Sequence, residues 1–553
     1  MKLKFILAAI LISGTAFISR ADGYKDGVEY YQAGQEENAE IVLTETINDP
    51  QTDKSEAYYY LGCIALNKGD KAQAEKYFDQ GIQANAEYAY NYIGKGAVAL
   101  KNNNKDTAED FFKQAEKINK KDAKVKVDIA RAYYDADKVK YNKEWNKALK
   151  DAKKKDKKEA SIYIFEGDVY ADEQKYGDSA GYYEMAIMYD AERPIAYVKY
   201  ANTYFHISPE VAIKKLEEIV NKNPNSALAQ RELAEKYYEN NQWTKAAAQY
   251  KFVIDNPNHF PADDERYVVL LYFGENYAES LTYAQEQLKK NPKSFQMLRM
   301  QFLNAAALEK YEDAAKYAAD FFALQGQDHL FTSNDYNTYG TVLEKVGKLD
   351  EAVAAYEKAV AVNPDKTDLL KDLSSAYASI AGEETDSVKR ADLYYKSAEA
   401  YQKFIDKGEY VTNDLYVLAG KYQNIISTAV DTVKRDEAYK KGVEVIDQVI
   451  AKVPDDYRIY RRKALLGYNM ERGNAKTGLA LDAYLKVEEL VNNDAEMDAE
   501  SKKSLLNEVY AYVASYYLYN DDAATAKAYY EKMLALNPEN QALRDYISKM
   551  KID

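Results

Sequence analysis

A pattern of spaced residues recurs along this chain about every 34 positions, and a fixed period of that length limits the fold to stacked repeats. In Ser333–Lys366, numbered 1 to 34, Tyr336 falls at position 4, Tyr339 at 7, Gly340 at 8 and Leu343 at 11. Ala352 is at 20, Tyr356 at 24, Ala359 at 27 and Pro364 at 32. The register lands again on Ser55–Tyr88 (Tyr58, Leu61, Gly62, Ala74, Phe78, Gly81) and on Ala89–Asp122 (Tyr92, Gly96, Ala108, Phe112, Ala115). It returns in Ala160–Arg193, Ala227–Phe260 and Asn507–Asn540. Weaker copies begin near Arg20, Ala123, Pro194, Pro261, Phe295, Thr367, Asn413 and Asp455, for fourteen units in all.

Positions 4, 7, 8 and 11 share one face of a first helix, and 20, 24 and 27 share one face of a second. Small residues at 8, 20 and 27 let the two helices approach, and large ones at 4, 11 and 24 fill the remaining space. Proline at 32 ends the second helix, because it lacks an N–H and clashes with the preceding turn. A single hairpin of this kind cannot bury its apolar face, so neighbours must stack. Tyrosine, 54 of 553 residues, is about twice its usual share and is expected mostly as core volume at those positions. With only 23 Gly and 10 Pro, a turn-rich all-β fold is excluded.

This pattern resembles the tetratricopeptide repeat (TPR). The resemblance implies an all-α TPR solenoid, a right-handed superhelix of antiparallel helix pairs. It also implies a concave groove lined by the first helices at positions 2, 5, 9, 12 and 13, which takes a protein or peptide. In repeats four to eight those positions carry Arg131, Tyr134, Asn202, Phe205, Arg231, Glu235, Tyr238, Tyr272 and Phe273, and aromatic and Arg side chains are frequent interface anchors. The family's carboxylate clamp needs Lys at 5 and Asn at 9 of one repeat. Here Asn202 follows Val198, so the clamp is absent.

The period is expected to be regular over 22–366, except for a stretched unit at 123–159. Between Lys138 and Lys158 that unit holds ten Lys, no Arg and three acids. The run reads either as a solvated helix face or as a dock for an acidic protein or phosphorylated lipid. From Thr367 to Asn540 the units lengthen, and Gln541–Asp553 reads as a capping helix with Leu543, Tyr546, Ile547 and Met550 at helical spacing.

Residues 1–21 read as a signal peptide. Lys2 and Lys4 precede apolar Phe5–Ile12, and Ser19 and Ala21 supply small residues at a cleavage site. Cleavage removes Lys2, Lys4 and Arg20 and no acid, taking the net charge from −15 to −18. Such a chain does not favour nucleic acid or an anionic surface. No later stretch is long and apolar enough to span a bilayer. A periplasmic or secreted protein is expected.

Catalytic spacings are missing: there is no GxxxxGK[ST], HExxH or GxSxG. His206, His259 and His329 lie far apart, and Cys63, at an inward first-helix position, has no electropositive surroundings in its segment. No enzyme, metal or cofactor is expected. Asp106-Thr107-Ala108, Asp178-Ser179-Ala180, Asp386-Ser387-Val388 and Asp431-Thr432-Val433 resemble an O-glycosylation acceptor of Gram-negative envelope proteins. Ser179 occupies close-packed position 20 and is excluded; Ser387 and Thr432 fall in connectors. The function read from all this is an exported scaffold that binds proteins or peptides in its groove and supports envelope assembly. A second reading is an outer-membrane-associated glycan-binding protein with TPR-like helices. The chain has no lipid-anchor Cys and only Trp145 and Trp243, which favours the scaffold.

Overall fold

The turn between paired helices is encoded at position 15 of the repeat. Gly34, Gly69, Asn103, Gln174, Asn241, Glu275, Glu309, Gly347 and Asp521 all sit there, each with φ between 56° and 86°. The geometry is a Schellman stop: around Gly347, the Lys348 amide returns to the Leu343 carbonyl (2.8 Å) and the Gly347 amide to Glu344 (3.1 Å). Glycine takes this left-handed turn without steric cost. The repeats near Arg20, Pro261 and Phe295, weak in sequence, place their turn at the same position.

The computed structural model describes residues 23–256, 259–324 and 331–550. The expected leader, and His329, lie outside them. Among the described residues there are helices and no strands. Two compact units divide between Lys290 and Asn291, well before the lengthening of the repeat at Thr367.

Among the described residues, unit 1 contains eight helix pairs: α1 (Gly23–Gln32) with α2 (Glu36–Thr46), α3 (Lys54–Asn67) with α4 (Lys71–Ala84), α5 (Ala89–Lys101) with α6 (Lys105–Ile118), and α7 (Ala123–Asp137) with α8 (Asn142–Lys155). Then come α9 (Ala160–Asp172) with α10 (Tyr176–Tyr189), α11 (Pro194–Tyr204) with α12 (Pro209–Lys222), α13 (Ala227–Glu239) with α14 (Trp243–Ile254), and α15 (Pro261–Phe273) with α16 (Tyr277–Lys290).

Unit 2 has α17 (Phe295–Ala307), α18 (Tyr311–Phe322), α19 (Ser333–Lys345), α20 (Leu349–Val362), α21 (Asp368–Glu383), α22 (Ser387–Asp406) and α23 (Thr412–Thr428). It continues through α24 (Thr432–Lys452), α25 (Tyr457–Met470), α26 (Leu481–Asn493), α27 (Ala499–Tyr519), α28 (Ala523–Leu536) and the terminal α29 (Gln541–Lys549). The later helices are longer, 20 residues in α22 and 21 in α24 and α27. No described helix is long and apolar enough to cross a membrane.

Close packing inside each pair follows the small-against-large pattern. A Cβ on Gly340 would come within 2.7 Å of the Tyr356 ring, and one on Gly62, Gly96 or Gly167 would overlap Phe78, Phe112 or Tyr183. Ser179 is fully buried and donates to the Gly167 carbonyl at 2.8 Å. The acceptor-like tripeptides at Asp386 and Asp431 are helix caps. Asp386 accepts the amides of Val388 and Lys389, and Asp431 those of Val433 and Lys434, the usual N-terminal role of aspartate.

Candidate protein-interaction site

The first helices of unit 1 enclose a chamber of about 540 Å³. Its wall is built from α3, α7, α9 and α11, with Tyr31 and Gln32 of α1 facing the same space. Tyr59 sits at position 5 of its repeat, Ser161 and Lys124 at position 2, Asp168 at position 9, and all of them line the cavity. The rule that selected Arg131 in the sequence also fits these four, so the signal for them was present and unread.

Asp168 organises the centre. It accepts from Arg131 Nη2 (2.8 Å) on α7, from Lys199 Nζ (2.8 Å) on α11 and from the Tyr183 phenol (2.9 Å) on α10. Burial raises its pKa, but Lys199 and Arg131 outweigh burial and hold the carboxyl below its ordinary value. Lys124 pairs with Asp128 at 2.6 Å and lies over the Tyr90 ring. Asp135 has a pKa raised by burial, with Asp168 adding to the shift and Arg131 and Lys101 opposing it. Ser161 is 7% exposed and its hydroxyl has no hydrogen-bond partner. Cys63 lies against Tyr31 and Tyr59, where burial pushes its thiol up to about 12, so it is not a thiolate at neutral pH.

The chain closes this chamber itself. Helix α1 packs against α11 and α13. Ser226 donates to Glu29 Oε2 at 2.6 Å, and Gln35 Nε2 donates to Glu232 Oε1 at 2.5 Å. Arg231 donates to the Tyr30 phenol and, at 2.5 Å, to Asp263 Oδ2. Its guanidinium also lies between the Tyr30 and Phe260 rings, 5.1 and 4.9 Å from their centroids. Asp263 in turn accepts the Tyr250 phenol at 2.8 Å and the Phe260 amide at 2.7 Å.

The nine groove residues therefore separate. Arg131 faces the chamber. Arg231, 8% exposed, is enclosed by α1 and α15 and is not an open groove anchor. Phe205, 7% exposed, lies beneath Lys236. Asn202 is exposed and donates to Glu232 at 3.2 Å. Tyr134 donates to Asp172 at 2.7 Å. Glu235 pairs with Arg266, which stacks on Tyr238 at 3.8 Å. Tyr238, Trp243, Phe273 and Tyr272 form an aromatic row with centroid separations of 5.2, 5.3 and 5.7 Å, and Phe273 is exposed. In the lysine run, Lys153 pairs with Glu166 at 2.5 Å, Lys154 with Asp151 at 2.9 Å and Lys138 with Asp172.

Tetratricopeptide repeat family models match residues 59–123 and 336–366. No curated protein matches the chain. Among solved structures, the C-terminal part of a TPR repeat-containing protein from Cytophaga hutchinsonii is similar at 23% identity, over 51% of this chain and 98% of that one, with a TM-score of 0.35. A tetratricopeptide repeat protein from Parabacteroides merdae is similar at 12% identity, over 59% and 99%, with a TM-score of 0.27. The matched segments fall on the α3–α6 and α19–α20 pairs, whose turns and glycine contacts recur in the other repeats. The chain is a tetratricopeptide repeat protein.

Proposed function

We propose that this protein is an exported, periplasmic scaffold that holds a peptide segment of an envelope protein in the unit 1 chamber and supports its assembly. The chamber carries this reading: about 540 Å³ is the size of a site for a few residues, and its paired charges and tyrosines suit an extended polar segment. Ser161 offers an unused hydroxyl there, and a buried polar group without a partner is costly until something bonds to it. Tetratricopeptide repeat proteins generally act as scaffolds without catalysis, and no catalytic activity is proposed. Export rests on the leader-like composition of residues 1–21.

A photo-crosslinking residue at Ile164, in the chamber wall, tests the assignment. Irradiated cells should yield one dominant adduct with an envelope protein, and the same residue at exposed Val388 should not. Equal adducts at both positions would place binding elsewhere. The mature protein should begin at Asp22 and fractionate with the periplasm; recovery of Met1 in the mature pool would remove export.

A further inference from the structure

A second cavity of unit 1, about 640 Å³, lies between the second helices α8 and α10. None of its lining residues lines the chamber. Lys153 and Lys157 come from the end of α8 and the residues just after it, and Gly177, Gly181 and Met185 come from α10. The glycines keep the space open: a Cβ on either would meet nothing within 4 Å. No packing inside the chain therefore asks for glycine, and Gly181, within the helix, lowers its stability relative to alanine. At the same two repeat positions α6 carries Asp106 and Asp110, α12 Val211 and Lys215, and α14 Thr244 and Ala248. Met185 and Met188 are exposed beside the bare stretch.

The other wall is positive. Ten Lys stand against three acids between Lys138 and Lys158, in a chain of net charge −15. Acids of this chain take up Lys138, Lys153 and Lys154. Lys157, and Lys150 one turn before Lys153 on the same face of α8, are exposed, and neither pairs with an acid among the described residues. Free positive charge on one wall, facing methionine and bare helix backbone on the other, is complementary to a helix that is acidic along one stripe and small or apolar along the next. We propose that the groove between α8 and α10 is a docking site for an acidic amphipathic helix of a partner protein. Its small residues lie over Gly177 and Gly181, where the backbone is open to close approach. Its apolar residues meet Met185, and its carboxylates face Lys150 and Lys157. From Gly177 to Met185 the α10 axis rises about 12 Å, the length of about two turns of the occupant. Asp178 lines the α10 side. A planar anionic membrane would meet that carboxylate together with the lysines, whereas a helix in the groove turns its acids to one wall only. The groove gives unit 1 a binding surface separate from the chamber, and the inference holds whether or not the chamber takes a peptide.

The test uses the full mature protein and a labelled synthetic helix of about three turns, with Glu along one stripe and Leu and Ala along the next, read by fluorescence anisotropy. This peptide should bind wild type, and its counterpart with Lys in place of every Glu should not. Gly181→Leu fills the groove where the backbone has room, so affinity should fall at least tenfold while the melting temperature holds or rises. If that variant melts lower, Gly177→Leu, equally free of contacts, takes its place. Lys150→Gln with Lys157→Gln should also lose at least tenfold, and Lys113→Gln on α6 should lose less than twofold. Absence of binding by the acidic peptide overturns the proposal. Loss in the lysine variant with full affinity in the glycine variant means that charge alone attracts the peptide, and overturns it as well. Vesicles containing phosphatidylglycerol form the last arm, read by co-sedimentation: binding to them that the lysine variant abolishes and the glycine variant keeps assigns the surface to a membrane instead.

Discussion

Arg231 and Tyr30 stand 201 positions apart in the sequence and share a hydrogen bond in the interior of unit 1. The bond closes the five intervening repeats on themselves, so that a groove open along its length in a simple stack becomes a chamber with a wall made by the first repeat. Arg231 is also the hub of a buried set: Asp263 takes its second amino group, and Tyr250 and the Phe260 amide hold Asp263.

Removing that hub should cost stability rather than only affinity. Arg231→Ala leaves Asp263 buried without its cation, and losing one partner of a buried pair costs about 3 kcal/mol or more. The urea midpoint of unit 1 should fall clearly. Arg266→Ala, which breaks the more exposed pair with Glu235, should cost under about 1 kcal/mol. Similar midpoints for the two variants would show that Arg231 is not held as described.

The closure should respond to pH. Burial raises the Glu29 pKa from 4.5 to about 7, with the Ser226 hydrogen bond opposing the shift and Asp26 adding to it. The Glu232 pKa is also raised by burial, against the bonds from Asn202 and Gln35 and the nearby Lys236 charge. A group raised in the closed state stabilises that state fully below its open-state value and loses the contribution as pH rises through the closed-state value. For Glu29 that window runs from 4.5 to about 7, and the contribution is on the order of 3 kcal/mol. Hydrogen exchange in residues 24–32, corrected for intrinsic rates, should therefore show less protection at pH 8 than at pH 5.5. Glu29→Gln should flatten most of that dependence, and an unchanged profile in this variant would assign it to another group.

Much of this was legible in the sequence, and what was not has a physical cause. Repeat starts at Ala123, Pro194, Pro261 and Phe295 coincide with the first residues of α7, α11, α15 and α17, because small and large residues at fixed spacing leave one way to pair two helices. The left-handed turn was hidden wherever Asn, Gln, Glu or Asp replaces Gly, as at Gln174 and Glu309. The exposure of Arg231 could not be read, since position 5 faces inward in every repeat and nothing local shows that α1 returns to cover it. Lys199 escaped for a similar reason: it stands at position 6, outside the groove positions, and the ion pair that brings it to Asp168 spans two repeats.

Close packing in unit 2 can be tested at a single carbon. Gly340→Leu places a Cβ within 2.7 Å of the Tyr356 ring, whose phenol is engaged by Thr341 and Glu344 at 3.2 and 3.3 Å. The ring cannot withdraw without breaking those contacts, and overpacking of this sort costs typically about 1–3 kcal/mol. Unit 2 should lose that much in a denaturant melt, whereas Gly382→Leu, with nothing within 4 Å of its Cβ direction, should stay near wild type. A Gly340→Leu midpoint equal to that of Gly382→Leu would place the helix pair in a different register.

The last prediction concerns the charge at the centre of the chamber. Asp168 neutralises Arg131 and Lys199 together, each at 2.8 Å, and accepts the Tyr183 phenol on its remaining side. Asp168→Asn keeps the volume and removes the charge, leaving two cations facing one neutral amide. The side chain of Asp168 is 17% exposed, so water screens them only in part. The loss should be about 2 kcal/mol, below that of a fully dry pair. The excess positive charge should then draw the nearby Asp135 carboxyl down in pKa from its raised position. NMR titration of a sample labelled at Asp carboxyls would follow this directly. A downward shift at Asp135 in the variant, with no change at the helix cap Asp386 of unit 2, is the expected result. An unmoved Asp135 would mean that the chamber is open enough to water for its charges to act independently.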